Sequence, residues 1–263
     1  MELHLAGKRA FVSGSTQGIG YAIARALLDE GVEVVINGRD ATRVSAAAEK
    51  LATEVAGGRV TGIAADFADP VQVAALLQEL GDVDILVNNV GVFGIADFSD
   101  VTDEDWQHYF TVNIMSGVRL SRQLLPGMVS RGWGRIVFIN SESGVNVPAD
   151  MIHYGASKAA MLALANGLAK LTRGTEVTVN SVLGGPTYSD GVAQTVTQIA
   201  GAQGMAEGDL KAAIIGGNAT SILRRFIEPT EVASLALYLA SPLSSATNGA
   251  ALRADGGVLT AML

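Results

Sequence analysis

The chain has 263 residues, of which 49% are apolar, with a formal net charge of −8 and no cysteine. That length and apolar content suit one large α/β domain with a full core. The acidic balance speaks against a nucleic-acid partner, and the missing thiols exclude disulfides, thiolate catalysis and Cys-ligated metals. Three scattered histidines add no ligand cluster, so no metal is expected. The N-terminus shows no charged-then-apolar leader, and a reduced, cytoplasmic setting is the default expectation.

In chain order, "RAFVS" (9–13) reads as a strand. A glycine turn then opens a helix with Ile19, Ala22, Ile23, Ala26 and Leu27 on one face and Gly31 as its C-cap. Strand 32–37 precedes a helix capped by Asp40 that runs to about Val55. Strand 59–65, a helix over 69–80 with Pro in its first turn, and strand 83–89 follow. Thr102 caps a long helix reaching about Ser130, and strand 135–140 comes next. A helix over 153–172, strand 176–183, a helix over 229–241 and strand 249–255 complete the pattern. The uncharged run 232–252 exceeds the length of a membrane span, but Pro242, Asn248 and Gly249 interrupt it. It reads as a buried helix followed by a turn, not a membrane segment.

Strands alternating with helices, several of the strands uniformly apolar, predict a doubly wound α/β fold. It is a single Rossmann domain over 1–263, with a parallel sheet of about seven strands and helices on both faces. The segment 185–222, rich in Gly, Ala and Thr, breaks the rhythm after a strand's C-terminal end. A mobile substrate lid and a structured helical excursion are both open there.

The first turn, "SGSTQGIG", places glycines at 14, 18 and 20 between a strand and a helix. A helix N-terminus offers free N–H groups to a diphosphate, and glycines let backbone and ligand approach. Gly14, Ser15, Thr16, Gln17, Gly18, Ile19 and Gly20 are therefore assigned to a dinucleotide. The second strand ends in "INGRD". An acid at position 38 would bind a ribose 2′-OH, but Gly38 followed by Arg39 favours a 2′-phosphate and NADP(H). Asn37 and Arg39 join the cofactor set, while Asp40 either caps its helix or faces the ribose. Asp66, with Phe67 beside it, is assigned to the adenine. Gly91 lets the chain pass close to the cofactor, and Asn89 ties strand ends together.

Tyr154 and Lys158 stand four residues apart and share a helical face. An ammonium beside a phenol favours the phenolate and is expected to lower the Tyr pKa from about 10.

These pieces together resemble the short-chain dehydrogenase/reductase family over essentially the whole chain: "SGSTQGIG", "NNVG", Asn113 in "TVNIMSG", "GRIVFINS" ending at Ser141, "YGASK" and "ADGG". The resemblance implies a catalytic tetrad of Asn113, Ser141, Tyr154 and Lys158. Tyr154 acts as the acid that protonates a carbonyl, Ser141 holds that carbonyl, Lys158 also binds the nicotinamide ribose, and Asn113 holds a water behind Lys158. It also implies cofactor contacts from the loop Gly185, Pro186, Thr187 and Ser189, with Thr187 preferred over Ser189. That loop departs from the family by carrying Gly184 where proline is usual, and Val90 replaces the usual alanine.

Candidate pocket residues are Val92, Phe93, Val145, Val147, Met151, Tyr188 and Val192, mostly apolar. They suit a moderately hydrophobic ketone or aldehyde, reduced with NADPH. A 3-oxoacyl-(acyl-carrier-protein) reductase and an alcohol- or sugar-oxidising dehydrogenase remain alternatives, with a non-catalytic cofactor-binding regulator as a rival of another class. Glu142 and His153 either touch substrate or face away. The 153–172 helix is apolar nearly all round, which predicts a homo-oligomer, and the resemblance favours a tetramer.

Overall fold

The computed structural model describes residues 2–262. Seven strands form one parallel sheet: β1 (Arg9–Val12), β2 (Glu33–Gly38), β3 (Val60–Ala64), β4 (Ile85–Asn88), β5 (Trp133–Ser141), β6 (Glu176–Gly184) and β7 (Ala251–Ala254). Their spatial order is β3-β2-β1-β4-β5-β6-β7, so the winding reverses between β1 and β4. A crevice opens at such a switch point, outside the strands' carboxyl ends.

The inner strands β1, β4 and β5 are buried nearly throughout because both faces are covered, whereas the edge strands β3 and β7 are partly exposed. In β1, Ala10 and Val12 pack into one core and Phe11 into the other. In β5, Val137 and Ile139 join the first core, and Ile136 and Phe138 the second. The first core is closed by α1 (Gly18–Asp29), α2 (Ala41–Glu54) and α9 (Pro229–Ala240). The second is closed by α3 (Pro70–Leu80), α5 (Met115–Arg131) and α6 (Ile152–Ala169). Each fully buried Val, Leu, Ile or Phe side chain contributes roughly 1.5–3 kcal/mol.

Local signals set the helix ends. The Asp40 carboxylate accepts from the Arg43 N–H at 2.8 Å, and Asp69 caps α3 ahead of Pro70. Gly31 adopts φ +76° just past α1, a left-handed conformation that glycine takes without strain. Thr102 and Asp105 form a reciprocal cap at α4 (Asp103–Tyr109). The long helix expected from Thr102 to Ser130 is not continuous. A π-helical turn over Phe110–Ile114 separates α4 from α5. The reason lies in Asn113, which is fully buried and hydrogen-bonded to the chain after β4. One wide turn aims that side chain inward, a device often found at functional sites.

Segment 185–222 is a helical excursion, with α7 (Asp190–Gln203) and α8 (Glu207–Gly217) packed on a small core of Val196, Ala200 and Leu210. The run 232–252 is the end of α9 followed by a short 3-10 turn at Pro242–Ser244 and β7. Among the described residues, no helix is long and apolar enough to cross a membrane.

Candidate active site

A cleft of about 410 Å³ opens at the switch point, lined by the first glycine turn, the ends of β2 and β4, and the start of α7. Gly14 and Gly18 take φ +61° and +60°, which shapes the turn over the N-terminus of α1. Thr16, Gln17, Gly18 and Ile19 face the cleft. Two neighbours do not. Ser15 is buried, donates to the Val12 carbonyl at 2.6 Å and accepts from the Asn37 N–H at 3.0 Å. Gly20 is a packing glycine, because a Cβ there would stand 2.4 Å from the Gly14 carbonyl oxygen.

Asn37 has its amide N–H groups on the Ile63 and Ala65 carbonyls, and its oxygen accepts from Gly14 N–H at 3.2 Å. It ties β1, β2 and β3 together below the turn. Arg39 is exposed at the cleft. Beside it stands Arg43, which donates to the Gln17 amide oxygen. Sequence reasoning missed Arg43, although its place four residues after Arg39 puts a second guanidinium in the first turn of α2. Gly38 is closely packed: a Cβ would meet Thr16 Cγ2 at 2.6 Å and Val44 Cγ2 at 3.2 Å. A larger residue there would have to displace Thr16, and Gly38 itself offers no side-chain acceptor to a 2′-OH. Asp40 caps α2 through one oxygen and also lines the cleft.

Asp66 lines the cleft, and its carboxylate accepts from the Ala68 N–H at 2.9 Å. The Phe67 ring belongs to the second core, and its carbonyl accepts from Arg119 at 3.1 Å. Asn89 ties strand ends as expected, donating to the Ser13 and Gly14 carbonyls at 3.0 and 2.8 Å. Gly91 is exposed on the cleft wall; a Cβ on it would lie 3.5 Å from both Asn113 Oδ1 and Lys158 Nζ.

Across Gly91 the structure brings the four tetrad positions together from three elements. Ser141 ends β5, Tyr154 and Lys158 stand in the first two turns of α6, and Asn113 stands in the π-turn. Asn113 Oδ1 accepts from the Val92 N–H at 2.7 Å. Its Nδ2 donates to the Val92 carbonyl at 3.0 Å and to Ser157 Oγ at 2.9 Å. Its side chain thus clamps the chain after β4 onto α6. Lys158 is buried, and its Nζ donates to the Ile139 carbonyl at 3.1 Å and lies 5.7 Å from the centroid of the Tyr154 ring.

The titration behaviour differs from the expectation. Burial pushes the Tyr154 phenol up to about 12; the Ser141 hydroxyl opposes this, and Glu142 and Tyr109 reinforce it. Burial also pushes the Lys158 ammonium down to about 8, against the opposing effect of Glu142. Desolvation disfavours both charged forms, and it outweighs the attraction that their spacing suggests. At neutral pH Tyr154 is therefore a protonated phenol.

The loop after β6 divides. Gly185 packs on the Asp255 backbone, Pro186 accepts from the Ile227 N–H at 2.8 Å, and Thr187 is buried with its hydroxyl on the Gly185 carbonyl at 2.9 Å. Ser189, ranked second from sequence, is the one that lines the cleft, where it caps α7. The next residue was not anticipated. The Asp190 carboxylate accepts from the Gly18 N–H at 2.6 Å, so the start of α7 rests on the N-terminus of α1. A contact across that sequence distance leaves no local signal.

Phe93 stands edge-on to Tyr154 with ring centroids 6.5 Å apart, and Val145 and Val147 are exposed nearby in the chain. Tyr188 and Val192 pack against the small core of α7 and α8. His153 faces away, stacked edge-on to Tyr109 at 4.4 Å. Glu142 turns inward, with its Oε2 2.5 Å from Ser141 Oγ.

Comparison with known proteins places these features in context. The family model described as short chain dehydrogenase matches residues 8–200. The chain is 43% identical to the uncharacterized oxidoreductase YvrD of Bacillus subtilis (strain 168), covering 100% of both chains. It is 32% identical to the D-beta-hydroxybutyrate dehydrogenase of Cupriavidus necator, covering 96% of this chain and 98% of that one. Among solved structures, L-sorbose reductase from Gluconobacter frateurii, complexed with NADPH and L-sorbose, superposes with a TM-score of 0.94 at 30% identity over 100% of both chains.

Proposed function

The chain belongs to the short-chain dehydrogenase/reductase family, whose members are oxidoreductases, and from that premise we propose that it is an NADPH-dependent reductase of a ketone or aldehyde on a small molecule. The observation that carries this reading is the convergence of Ser141, Tyr154 and Lys158 at the carboxyl edge of the sheet, across Gly91 from a cleft built for a dinucleotide.

The residues fit NADP(H). The free N–H groups over α1 suit a diphosphate. Arg39 and Arg43 offer two guanidiniums to a 2′-phosphate, and Gly38 carries no carboxylate that would repel it. The NADPH complex of the sorbose reductase supports the same choice. NADPH, when bound, would supply the hydride. Tyr154 holds the proton that the carbonyl oxygen would take, Ser141 would orient that oxygen, and buried Lys158, its Nζ 5.7 Å from the centroid of the Tyr154 ring, would hold the cofactor's ribose. Asn113 ties Val92 and Ser157 together beside them. Phe93, Val145 and Val147 give the substrate side an apolar wall, and α7 with α8 forms its lid. The outward face of α6 carries exposed Ala156, Ala163 and Gly167, which suits close pairing of helices in a homotetramer. A monomeric mass in solution would count against that assembly.

Replacing Tyr154 by Phe removes the hydroxyl, and with it the proton and the hydrogen bond to Ser141, while keeping the ring. Turnover is expected to fall by about 10²–10⁴-fold, with NADPH binding measured by fluorescence unchanged. Full-rate reduction by Tyr154→Phe contradicts the assignment.

A further inference from the structure

Ser141 has one hydroxyl proton and two lone pairs, and its surroundings leave little freedom in their use. The Ser143 N–H donates to Ser141 Oγ at 3.1 Å and takes one lone pair. Glu142 Oε2 stands at 2.5 Å and takes either the proton or the other lone pair, and the Tyr154 hydroxyl is the remaining partner, on the side from which a substrate oxygen would approach. If the carboxyl is ionised, the Ser141 proton points to it, and only a lone pair faces the substrate. If it is neutral, the carboxyl proton fills that lone pair and releases the Ser141 proton. A carbonyl oxygen accepts hydrogen bonds, so only the second arrangement serves it.

We propose that Glu142 is a positioning residue whose neutral carboxyl donates to Ser141 and thereby turns the Ser141 hydroxyl toward the substrate oxygen. This rests on the role given to Ser141 above. The surroundings favour the neutral form: burial lifts the Glu142 carboxyl above the ordinary carboxylate range, and hydrogen bonds from Ser141 and Ser143 oppose it without cancelling it. The Ser143 hydroxyl stands 3.4 Å from the other oxygen, Oε1. The ionisable groups that face Glu142 are Tyr154 and Lys158 of α6, and a negative charge on Glu142 would raise the pKa of both. Its neutral form therefore also spares Tyr154 a repulsion that hinders release of its proton.

The test is the pH profile of kcat/KM for carbonyl reduction with NADPH, for the wild type and for Glu142→Gln. The wild type is expected to lose at least about tenfold as pH rises through the Glu142 ionisation, the scale of losing one aimed donor. In Glu142→Gln the amide N–H donates at every pH, so that limb disappears while the thermal midpoint holds. A limb from Lys158 near pH 8 is common to both proteins, so it is an entirely unchanged profile in Glu142→Gln that overturns the proposal. Ser141→Ala gives a second reading: its residual activity must lack the Glu142 limb, because no hydroxyl remains to be turned. Should no carbonyl be reduced by any form, the proposed function fails, and an infrared pH titration still decides the carboxyl's state. A neutral carboxyl band that persists above the ordinary carboxylate range in the wild type and is missing from Glu142→Gln supports the proposal. Its absence from the wild type overturns it.

Discussion

Lys158 stands buried against the Ile139 carbonyl, and the fold opposes its charge. Its ammonium titrates at about 8 in the folded chain against 10.5 in the open one. Between those values the unfolded chain binds the extra proton, so stability rises with pH across that window. Below about pH 8 the penalty is present in full, on the order of 3 kcal/mol. Lys158→Met is therefore expected to raise the thermal midpoint at pH 7 by several degrees, less at pH 10, while turnover collapses. A lower midpoint at pH 7 would show that the Ile139 contact matters more than the desolvation. In the sequence Tyr154 and Lys158 were marked by their spacing, and Ser141 and Asn113 only by the family resemblance. The sequence did not reveal the direction of the Tyr154 and Lys158 pKa shifts, because burial depends on what the whole fold lays over them. Nor did it separate Ser15, which braces the turn from beneath, from Thr16 and Gln17, which face the cleft.

At the scale of elements, the start of α7 rests on the start of α1 through Asp190 and Gly18. That carboxylate occupies an N–H of the helix end on which the proposed diphosphate would be held, and its charge repels phosphate. Asp190→Asn keeps the shape and removes the charge. NADPH is expected to bind several-fold tighter, on the order of 1 kcal/mol as for a charge at a helix end, read as Kd by fluorescence titration. Weaker binding would instead identify Asp190 as a latch that holds α7 down over the cofactor. The regular helices were readable from period and caps, as Asp40, Asp69 and Thr102 illustrate. The π-turn was not, since its cause is a long-range bond from Asn113 to Val92. Helices α7 and α8 were obscured by Gly, Ala and Thr, whose weak patterning matches their small, separate core.

For the molecule as a whole, uniformly apolar strands alternating with amphipathic helices left few architectures open, and the seven-stranded doubly wound sheet follows from covering both faces. Its switch point brings the glycine turn, the β2 arginine and the tetrad positions to one edge, although they lie far apart in the chain. Substrate identity was the least legible feature, because the loops and α7 that wall the site are set by tertiary packing. The measurement that tests the account most directly is the loss of reduced-nicotinamide absorbance with NADPH and NADH. It uses a panel of ketones, aldehydes, hydroxyketones and 3-oxoacyl thioesters, for the wild type and the Arg39→Ala/Arg43→Ala pair. The account predicts turnover with NADPH on a small carbonyl and a kcat/KM well above that with NADH. The double replacement should lower the NADPH value by about 10–100-fold, the worth of charge-assisted bonds, and leave NADH nearly untouched. Equal or faster turnover with NADH, or no effect of removing both arginines, would contradict it.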